Sequence, residues 1–79
     1  MLFNSNNGQM EIAVYSILGI NEVRIVVNSE GIERSFNLNE TTFNAMKETL
    51  MNCANVEVFS NLIISNGGHR HYESPFIRL

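Results

Sequence analysis

The first half of the chain alternates between apolar and polar residues. Met10, Ile12 and Val14 occupy every second position and are separated by charged or small residues. Successive side chains of a β-strand point to opposite faces, so this period of two predicts a half-buried strand that ends near Gly19. Residues 1–9 precede it and are rich in asparagine and other turn-forming residues, and we expect them to form a loose terminus.

The stretch EVRIVVNSEGIERSFNL predicts a β-hairpin. Two sets of alternate residues would each share a face of it, namely Val23, Ile25 and Val27 on the incoming strand and Ile32, Arg34, Phe36 and Leu38 on the outgoing strand. A loop with an even number of residues places both sets on the same face, whereas an odd number places them on opposite faces. We therefore expect an even loop, either Glu30-Gly31 or the four residues from Asn28 to Gly31.

The period changes to that of a helix in the next stretch. Four residues recur at spacings of three and four, namely Phe43, Met46, Leu50 and Cys53. This spacing predicts one amphipathic helix over residues 40–54. Asn39 or Thr41 can cap its start by accepting a hydrogen bond from a free backbone N–H, and Asn55 is a suitable stop because asparagine tolerates a left-handed conformation.

The last third of the chain favours a second hairpin. The alternating residues of its first strand are Val58, Ser60, Leu62 and Ile64. The odd loop Asn66-Gly67-Gly68 would join this strand to a final one. Pro75 has no backbone N–H to donate, so the final strand is expected at the edge of the sheet or to be bulged there.

The predicted order, β-ββ-α-ββ, is typical of an α+β fold. We expect an antiparallel sheet of four to five strands with one helix packed on one face, and all 79 residues in a single small domain. A helix of about 14 residues spans only ~21 Å and covers one face at most. The uncovered face would then carry Tyr15, Ile17, Val26, Phe59 and Ile63. Such an uncovered apolar face is a candidate binding surface.

Charge and composition narrow the classes of partner. The formal net charge is −3 and Lys47 is the only lysine, so the chain lacks the cationic surplus that general nucleic-acid binding needs. Its acidic residues are scattered rather than clustered, which weakens a role as a mimic of a polyanion. A domain this small buries only about 60% of the surface of its unfolded chain, and leftover apolar surface makes a homodimer one expectation.

The chain offers few residues for catalysis, and we expect it not to be an enzyme. Cys53 is the only cysteine, which excludes an intrachain disulfide and suits a reducing compartment. It falls on the apolar stripe of the predicted helix, where a buried cysteine acts as a small hydrophobic residue rather than as a nucleophile. No stretch approaches the ~18 apolar residues of a membrane helix, so we expect a cytoplasmic protein that uses neither a membrane nor a cofactor.

Two histidines near the end of the chain are the candidates for a metal site. In the predicted register, His69, His71 and Glu73 share the strand face that points away from the helix. Two imidazoles and a carboxylate can bind zinc or another divalent ion, but catalytic zinc sites usually use three protein ligands, and no other histidine or nearby cysteine pairs with these two. We therefore expect exposed polar side chains here, with metal binding at His69 and His71 as the third functional hypothesis.

These patterns favour a small non-enzymatic module that binds another protein or protein complex. We expect a regulator or inhibitor that blocks a larger machine by occupying its surface, as small phage-encoded and mobile-element proteins do, through the uncovered sheet face or an edge strand. The expected contact residues are Tyr15, Val26, Phe59, Ile63, His69, Arg70, His71 and Tyr72. The alternative hypothesis is a nucleic-acid-binding accessory protein that uses the cations and aromatic rings of the C-terminal strand.

Overall fold

The computed structural model describes residues 3–8 and 10–75. The elements, in chain order, are β1 (Phe3–Asn6), β2 (Glu11–Ser16), β3 (Glu22–Ser29), β4 (Ile32–Asn39), α1 (Glu40–Met51), α2 (Val56–Ser65) and β5 (His69–Pro75). The strands form one sheet in the order β1-β2-β3-β4-β5, and every neighbouring pair is antiparallel. The predicted α+β class with an antiparallel sheet is confirmed, and the sheet has five strands.

The predicted hairpin of β3 and β4 is confirmed, with the shorter of the two expected loops. Ser29 pairs with Ile32, so the loop is Glu30-Gly31. Both loop residues have positive φ, 54° for Glu30 and 76° for Gly31, which is the conformation of a type I′ turn. The register then places Ile25 directly opposite Phe36, so the apolar residues of both strands share a face, as the parity of the loop predicts.

One face of the sheet, which we call the covered face, packs against both helices. Its buried strand residues are Ile12, Val14, Val23, Ile25, Val27, Phe36 and Leu38. Phe43 and Leu50 of α1 and Phe59 and Ile63 of α2 belong to the same buried cluster. The rings of Phe36 and Phe59 lie 6.5 Å apart between centroids, a distance typical of favourable aromatic pairs. The opposite side of the sheet, which we call the open face, has no helix on it within the described chain.

The first helix begins where the sequence predicts and ends earlier. Asn39 is its N-cap, and the Asn39 side chain accepts a hydrogen bond from the backbone N–H of Thr42 at 3.1 Å. The helix ends at Met51 with Asn52 as its C-cap. Asn55, expected to stop this helix, instead caps the start of the next one by accepting a hydrogen bond from the N–H of Val58 at 3.0 Å.

The predicted second hairpin is wrong, because its first strand is the helix α2. Val56, Phe59 and Ile63 recur at spacings of three and four, and this stripe faces the core. The pair Gly67-Gly68 ends the helix instead of turning a hairpin. Gly67 has φ of 90° and donates to the carbonyl of Ile64, while Gly68 donates to the carbonyl of Ile63 at 3.0 Å, a Schellman motif. The described part of the chain therefore has two helices where one was expected.

The N-terminal segment is partly built into the sheet. Residues 1–9 were expected to be loose, but Phe3–Asn6 form β1 and pair with β2. Residues 1, 2 and 9 lie outside the described part of the chain. Asn7 follows β1 and donates from Nδ2 to the carbonyl oxygen of Cys53 at 3.2 Å, and its Oδ1 accepts from the N–H of Met10. The first bond joins the β1–β2 connection to the loop between the helices, and the second closes the connection itself.

The last strand lies at the edge of the sheet, as expected for the strand that carries Pro75. Its bulge, however, lies in the middle of the strand. Arg70 is opposite Phe36 and Tyr72 is opposite Ser35, so His71 is an extra residue with no partner position of its own. The bulge exchanges the faces of every residue that follows it, relative to an uninterrupted strand.

Candidate binding face

The open face is built from three rows of side chains that cross the strands. Residues directly opposite each other in antiparallel strands share a face, so the register defines each row. The central row contains Asn4, Ala13, Val26, Ser35 and Tyr72. The acidic row contains Asn6, Glu11, Asn28 and Glu33. The basic row, on the other side of the central row, contains Tyr15, Arg24, Asn37 and His69.

The central row is the apolar part of the open face. The Tyr72 side chain is 41% exposed, and Ala13 and Val26 are half-buried. Ser35 lies between Val26 and Tyr72 in this row and is fully buried. Its Oγ has no hydrogen-bond partner among the described residues. From Ala13 to Tyr72 the row therefore presents carbon atoms and a tyrosine hydroxyl to solvent, and the exposed amide of Asn4 lies at its β1 end.

In the basic row, a hydrogen bond holds the guanidinium of Arg24 in place. Arg24 donates from Nε to Oδ1 of Asn37 at 3.0 Å, and both residues come from neighbouring strands of the same row. This bond fixes the side chain across the face and leaves the terminal nitrogens free to donate elsewhere. Tyr15 lies on β2, directly opposite Arg24 of β3, and is 42% exposed.

The acidic row places two carboxylates at the opposite end of the same face. Glu11 and Glu33 flank Asn28, one strand to each side of it. Adjacent strands are about 4.8 Å apart, so the two glutamates stand on strands about 10 Å apart. A third carboxylate, that of Glu22, follows the basic row and is opposite Asn39. The carboxylates of the acidic row and the guanidinium of Arg24 therefore lie on opposite sides of the apolar central row.

An exposed apolar tip adjoins the basic row. In the loop between β2 and β3, Leu18 is 98% exposed and Ile20 is 55% exposed. Gly19 between them has φ of 87°, a conformation that glycine adopts without steric cost. The loop is closed by a hydrogen bond from the N–H of Ile17 to the carbonyl of Glu22 at 3.1 Å. Side chains this exposed contribute nothing to the core and are available to a partner.

Four of the predicted contact residues lie together on the open face. Tyr15, Val26, His69 and Tyr72 occupy the central and basic rows. The placement of Phe59 and Ile63 on this face is wrong, because both are fully buried on the core side of α2. That error follows from treating a helical stripe as an alternating strand.

The remaining two predicted contact residues lie at the bulge. Arg70 is opposite Phe36 on the covered side, with its Cζ 5.8 Å from the centroid of the Phe36 ring, within range of a cation–π contact. The ring of His71 meets the ring of Tyr72 edge-on, with centroids 5.5 Å apart. The His71 ring therefore packs against the Tyr72 ring, whereas Arg70 lies at the border of the core.

The expected common face of His69, His71 and Glu73 is wrong. His69 is opposite Asn37 on the open face, whereas Glu73 is opposite Arg34 on the covered side. Glu73 also accepts a hydrogen bond from Nε of Arg34 at 3.0 Å. Within residues 3–8 and 10–75, no three or more histidine, cysteine, aspartate or glutamate side chains are grouped to hold a metal ion. The bulge thus removes the carboxylate that the metal hypothesis needs.

A polar cleft lies between the start of α2 and the β4–β5 edge. Its volume is about 490 Å³, and its charged and hydroxyl groups come from Glu30, Arg34, Glu57, Ser60, Arg70 and Glu73. The two arginines are outnumbered by three glutamates, so the cleft does not favour a simple anion.

Cys53 is buried in the loop between α1 and α2. Its Sγ donates to the carbonyl of Thr49 at 3.5 Å, and burial raises the pKa of the Cys53 thiol. The thiolate is the nucleophilic form of cysteine, so a raised pKa makes this side chain less reactive. This environment is that of a packing residue.

Comparisons with protein families, with curated proteins and with solved structures gave no match for this chain. No helix in the described part of the chain is both long and apolar enough to cross a membrane.

Several residues of the open face were not among the predicted contacts. Arg24, Glu11 and Glu33 define the charge pattern of the face, and the exposed apolar tip comes from Leu18 and Ile20. The hairpin pattern contained the signal for the charged residues, since they alternate with the apolar positions of β2, β3 and β4. The signal for the tip was the sequence Leu-Gly-Ile in a loop, where apolar residues have no core to enter.

Proposed function

We propose that this protein is a non-enzymatic module that binds another protein through its open face and acts by occupying that partner's surface. The observation that carries the proposal is the packing of α1 and α2 on one side of the five-stranded sheet, while the other side has no helix on it within residues 3–8 and 10–75. Exposed aromatic side chains stand on that side, those of Tyr15 and Tyr72. A regulator or inhibitor of a larger assembly needs no more than such a surface.

The composition of the open face supports protein recognition. Tyrosine and arginine are the residues that most often dominate the energy of protein interfaces. Tyr15 and Arg24 are neighbours in the basic row, and Tyr72 lies in the central row at the β5 end of the same face. Polar residues surround them, and the acidic row forms one border. An apolar and aromatic centre with a polar rim is the usual anatomy of a specific interface.

The face is a better candidate than the free edge of β5. The bulge at His71 interrupts the regular spacing of backbone donors and acceptors along that strand. Pro75, near its end, has no N–H to offer to an added strand. Both features are devices that prevent pairing between strand edges, so recognition through side chains of the open face is favoured over strand addition.

The experiment is affinity capture from the native lysate with three tagged proteins. These are the wild type, a double variant Tyr15→Ser/Tyr72→Ser that removes the exposed rings of the open face, and the matched control Val58→Ser. Val58 is 48% exposed but lies on α2, away from the open face. Circular dichroism and thermal melts first establish that all three are folded.

The proposal expects the wild type and the control to retain the same protein assembly at near-equal stoichiometry after nuclease treatment. The double variant should lose at least about tenfold of the captured partner, since hot-spot aromatics contribute about 2 kcal/mol or more each. Equal capture by all three proteins would show that the contact surface lies elsewhere.

A second candidate function, binding to unpaired nucleic acid, is favoured by one observation. Tyr15, Arg24 and His69 belong to the same row, and sheet faces that combine rings and cations can stack bases and contact phosphates. The acidic row opposes this function by repelling phosphates. Capture that disappears after nuclease treatment, together with affinity for single strands that falls steeply with salt, would favour it over protein binding.

A further inference from the structure

We infer that the open face pairs with the open face of a second copy of this chain, in a two-fold symmetric dimer. The inference rests on the proposed function, because it uses the same protein-binding surface, which the second copy covers when no other protein partner occupies it. Three observations carry it, namely the arrangement of the charged rows about the central row, the apolar character of that row, and the area of the face.

The charges of the open face are self-complementary. A rotation of 180° about an axis that lies along the central row places the basic row of one copy over the acidic row of the other. Arg24 then opposes Asn28 of the second copy, which is flanked by Glu11 and Glu33 on the neighbouring strands. The symmetry repeats this contact, so each guanidinium meets two carboxylates. A random pattern of charges would not match itself under such a rotation.

The chemistry of this contact suits an interface. The guanidinium of Arg24 is held in place by its bond to Asn37 at 3.0 Å, so less conformational entropy is lost when the second copy binds. Its terminal nitrogens can donate to a carboxylate in the paired geometry that makes arginine effective at interfaces. Glu22 lies beyond the basic row, outside the overlap of the two charged rows, and does not oppose the pairing directly.

The central row meets itself in this arrangement. Val26 packs on Val26 of the second copy and Tyr72 packs near its counterpart, which buries the exposed apolar part of the face. The twist of packed sheets turns the two sets of strands by about 30° relative to each other. That rotation moves the ends of the rows most and the middle strand least, and both Val26 and Arg24 lie on the middle strand, β3.

The area is sufficient for a reversible dimer. Five strands spaced about 4.8 Å apart, with a rise of about 3.3 Å per residue, give a face of about 500 Å², or about 1,000 Å² buried by two copies. This equals the roughly 1,000 Å² that a specific interface should bury. We therefore expect dissociation on dilution rather than a permanent dimer.

A charge exchange tests the inference with the folded 79-residue chain. One variant, Arg24→Glu, places a carboxylate opposite the acidic row. The other, Glu11→Lys/Glu33→Lys, places ammonium groups opposite Arg24. Each variant alone brings like charges together twice, whereas the mixed dimer restores every attraction. Glu48→Lys, on the exposed side of α1, is the control for a change in net charge.

Sedimentation equilibrium and native mass spectrometry measure the outcome at low salt. The wild type and Glu48→Lys should reach twice the chain mass of 9.0 kDa as concentration rises. Each charge variant alone should show a dimer dissociation constant raised about tenfold or more. An equimolar mixture of the two variants should form the mixed dimer with near wild-type affinity.

Three results would overturn the inference. These are a wild type that stays monomeric at millimolar concentration, a dimer that Arg24→Glu leaves unchanged, and a mixture that fails to form the mixed dimer. The proposed function fails differently, through equal lysate capture by the wild type and Tyr15→Ser/Tyr72→Ser. A monomeric wild type whose captured partner is lost in that double variant would refute the dimer and leave the proposed function supported.

Discussion

The two adjacent glycines after α2 are required for different reasons. Gly67 has φ of 90° and open space around its α-carbon, so its requirement is conformational. Gly68 has no such φ, but a Cβ built on it lies 2.5 Å from Cγ2 of Ile63 and 3.0 Å from the carbonyl oxygens of Asn37 and Ile63. Its requirement is therefore steric, because the turn passes directly over the core.

This difference predicts that asparagine is tolerated at position 67 but not at position 68. Gly67→Asn should cost little, since asparagine tolerates a left-handed conformation, and Gly67→Ala should cost about 1 kcal/mol. Gly68→Ala and Gly68→Asn should both lower the free energy of unfolding by about 1–3 kcal/mol through overpacking. Urea unfolding of the four variants measures these values. A Gly68→Ala variant as stable as the wild type would mean that the turn does not approach Ile63.

Cys53 predicts a loss of stability at alkaline pH. Burial raises the pKa of the Cys53 thiol in the folded state above that of the unfolded chain. The stability that depends on the neutral thiol is fully present below the unfolded pKa, about 8.5, and is lost as the pH rises through the folded-state pKa. The free energy of unfolding should therefore fall more steeply between pH 8 and pH 10 for the wild type than for Cys53→Ala. Parallel slopes would contradict this prediction.

At the scale of elements, the sequence predicts the strands better than the second helix. The alternation of apolar residues in β3 and β4 restricts the hairpin loop to two possibilities, both with an even number of residues. A shift of one residue would turn all the apolar side chains of one strand to solvent. Val56–Ser65 fits two periods at once, since apolar residues occupy both alternate positions and the helical stripe. Its β-branched residues favoured a strand. The decisive signals were the caps, Asn55 before the segment and Gly67 after it.

The prediction of Val56–Ser65 as a strand also explains which part of the candidate site was predicted wrongly. The faces of residues 69–73 were inferred from a hairpin that does not exist, and a bulge at His71 then separates His69 from Glu73. A bulge leaves no periodic signal in a single strand, so these faces are beyond what pattern alone can predict. Tyr15 and Val26, whose strands were correctly predicted, are on the open face as expected.

The cap of α2 gives a prediction for this element. Asn55→Ala removes the side-chain oxygen that accepts from the N–H of Val58, and it should lower the free energy of unfolding by about 1 kcal/mol. Asn55→Asp should retain most of the stability, because aspartate caps equally well. Asn61→Ala, at an exposed position within the same helix, is the control and should leave the stability unchanged or raise it by up to about 0.7 kcal/mol through helix propensity. Equal melting temperatures for Asn55→Ala and the control would show that the cap contributes nothing.

The whole molecule depends on a single buried cluster shared by the sheet and both helices. Phe36 lies at its centre, fully buried, opposite Ile25 in the sheet and against Phe59 of α2. The cluster also includes Phe43 and Leu50 of α1. Neither helix has another apolar layer to pack against within the described chain. The fold should therefore be lost as one unit rather than helix by helix.

Phe36→Asp tests whether the fold depends on this buried cluster, and His69→Ala on the open face is the control. The variant buries an unpaired carboxylate, at a cost of several kcal/mol, in a domain whose total stability is expected near 5–15 kcal/mol or less. Circular dichroism should show the helical and sheet signals lost together at 25 °C. His69→Ala removes an exposed side chain and should change the free energy of unfolding by no more than about 0.5 kcal/mol. If His69→Ala instead unfolds the protein while Phe36→Asp melts like the wild type, the covered and open faces are reversed, and the surface to which we assign partner binding would be the core.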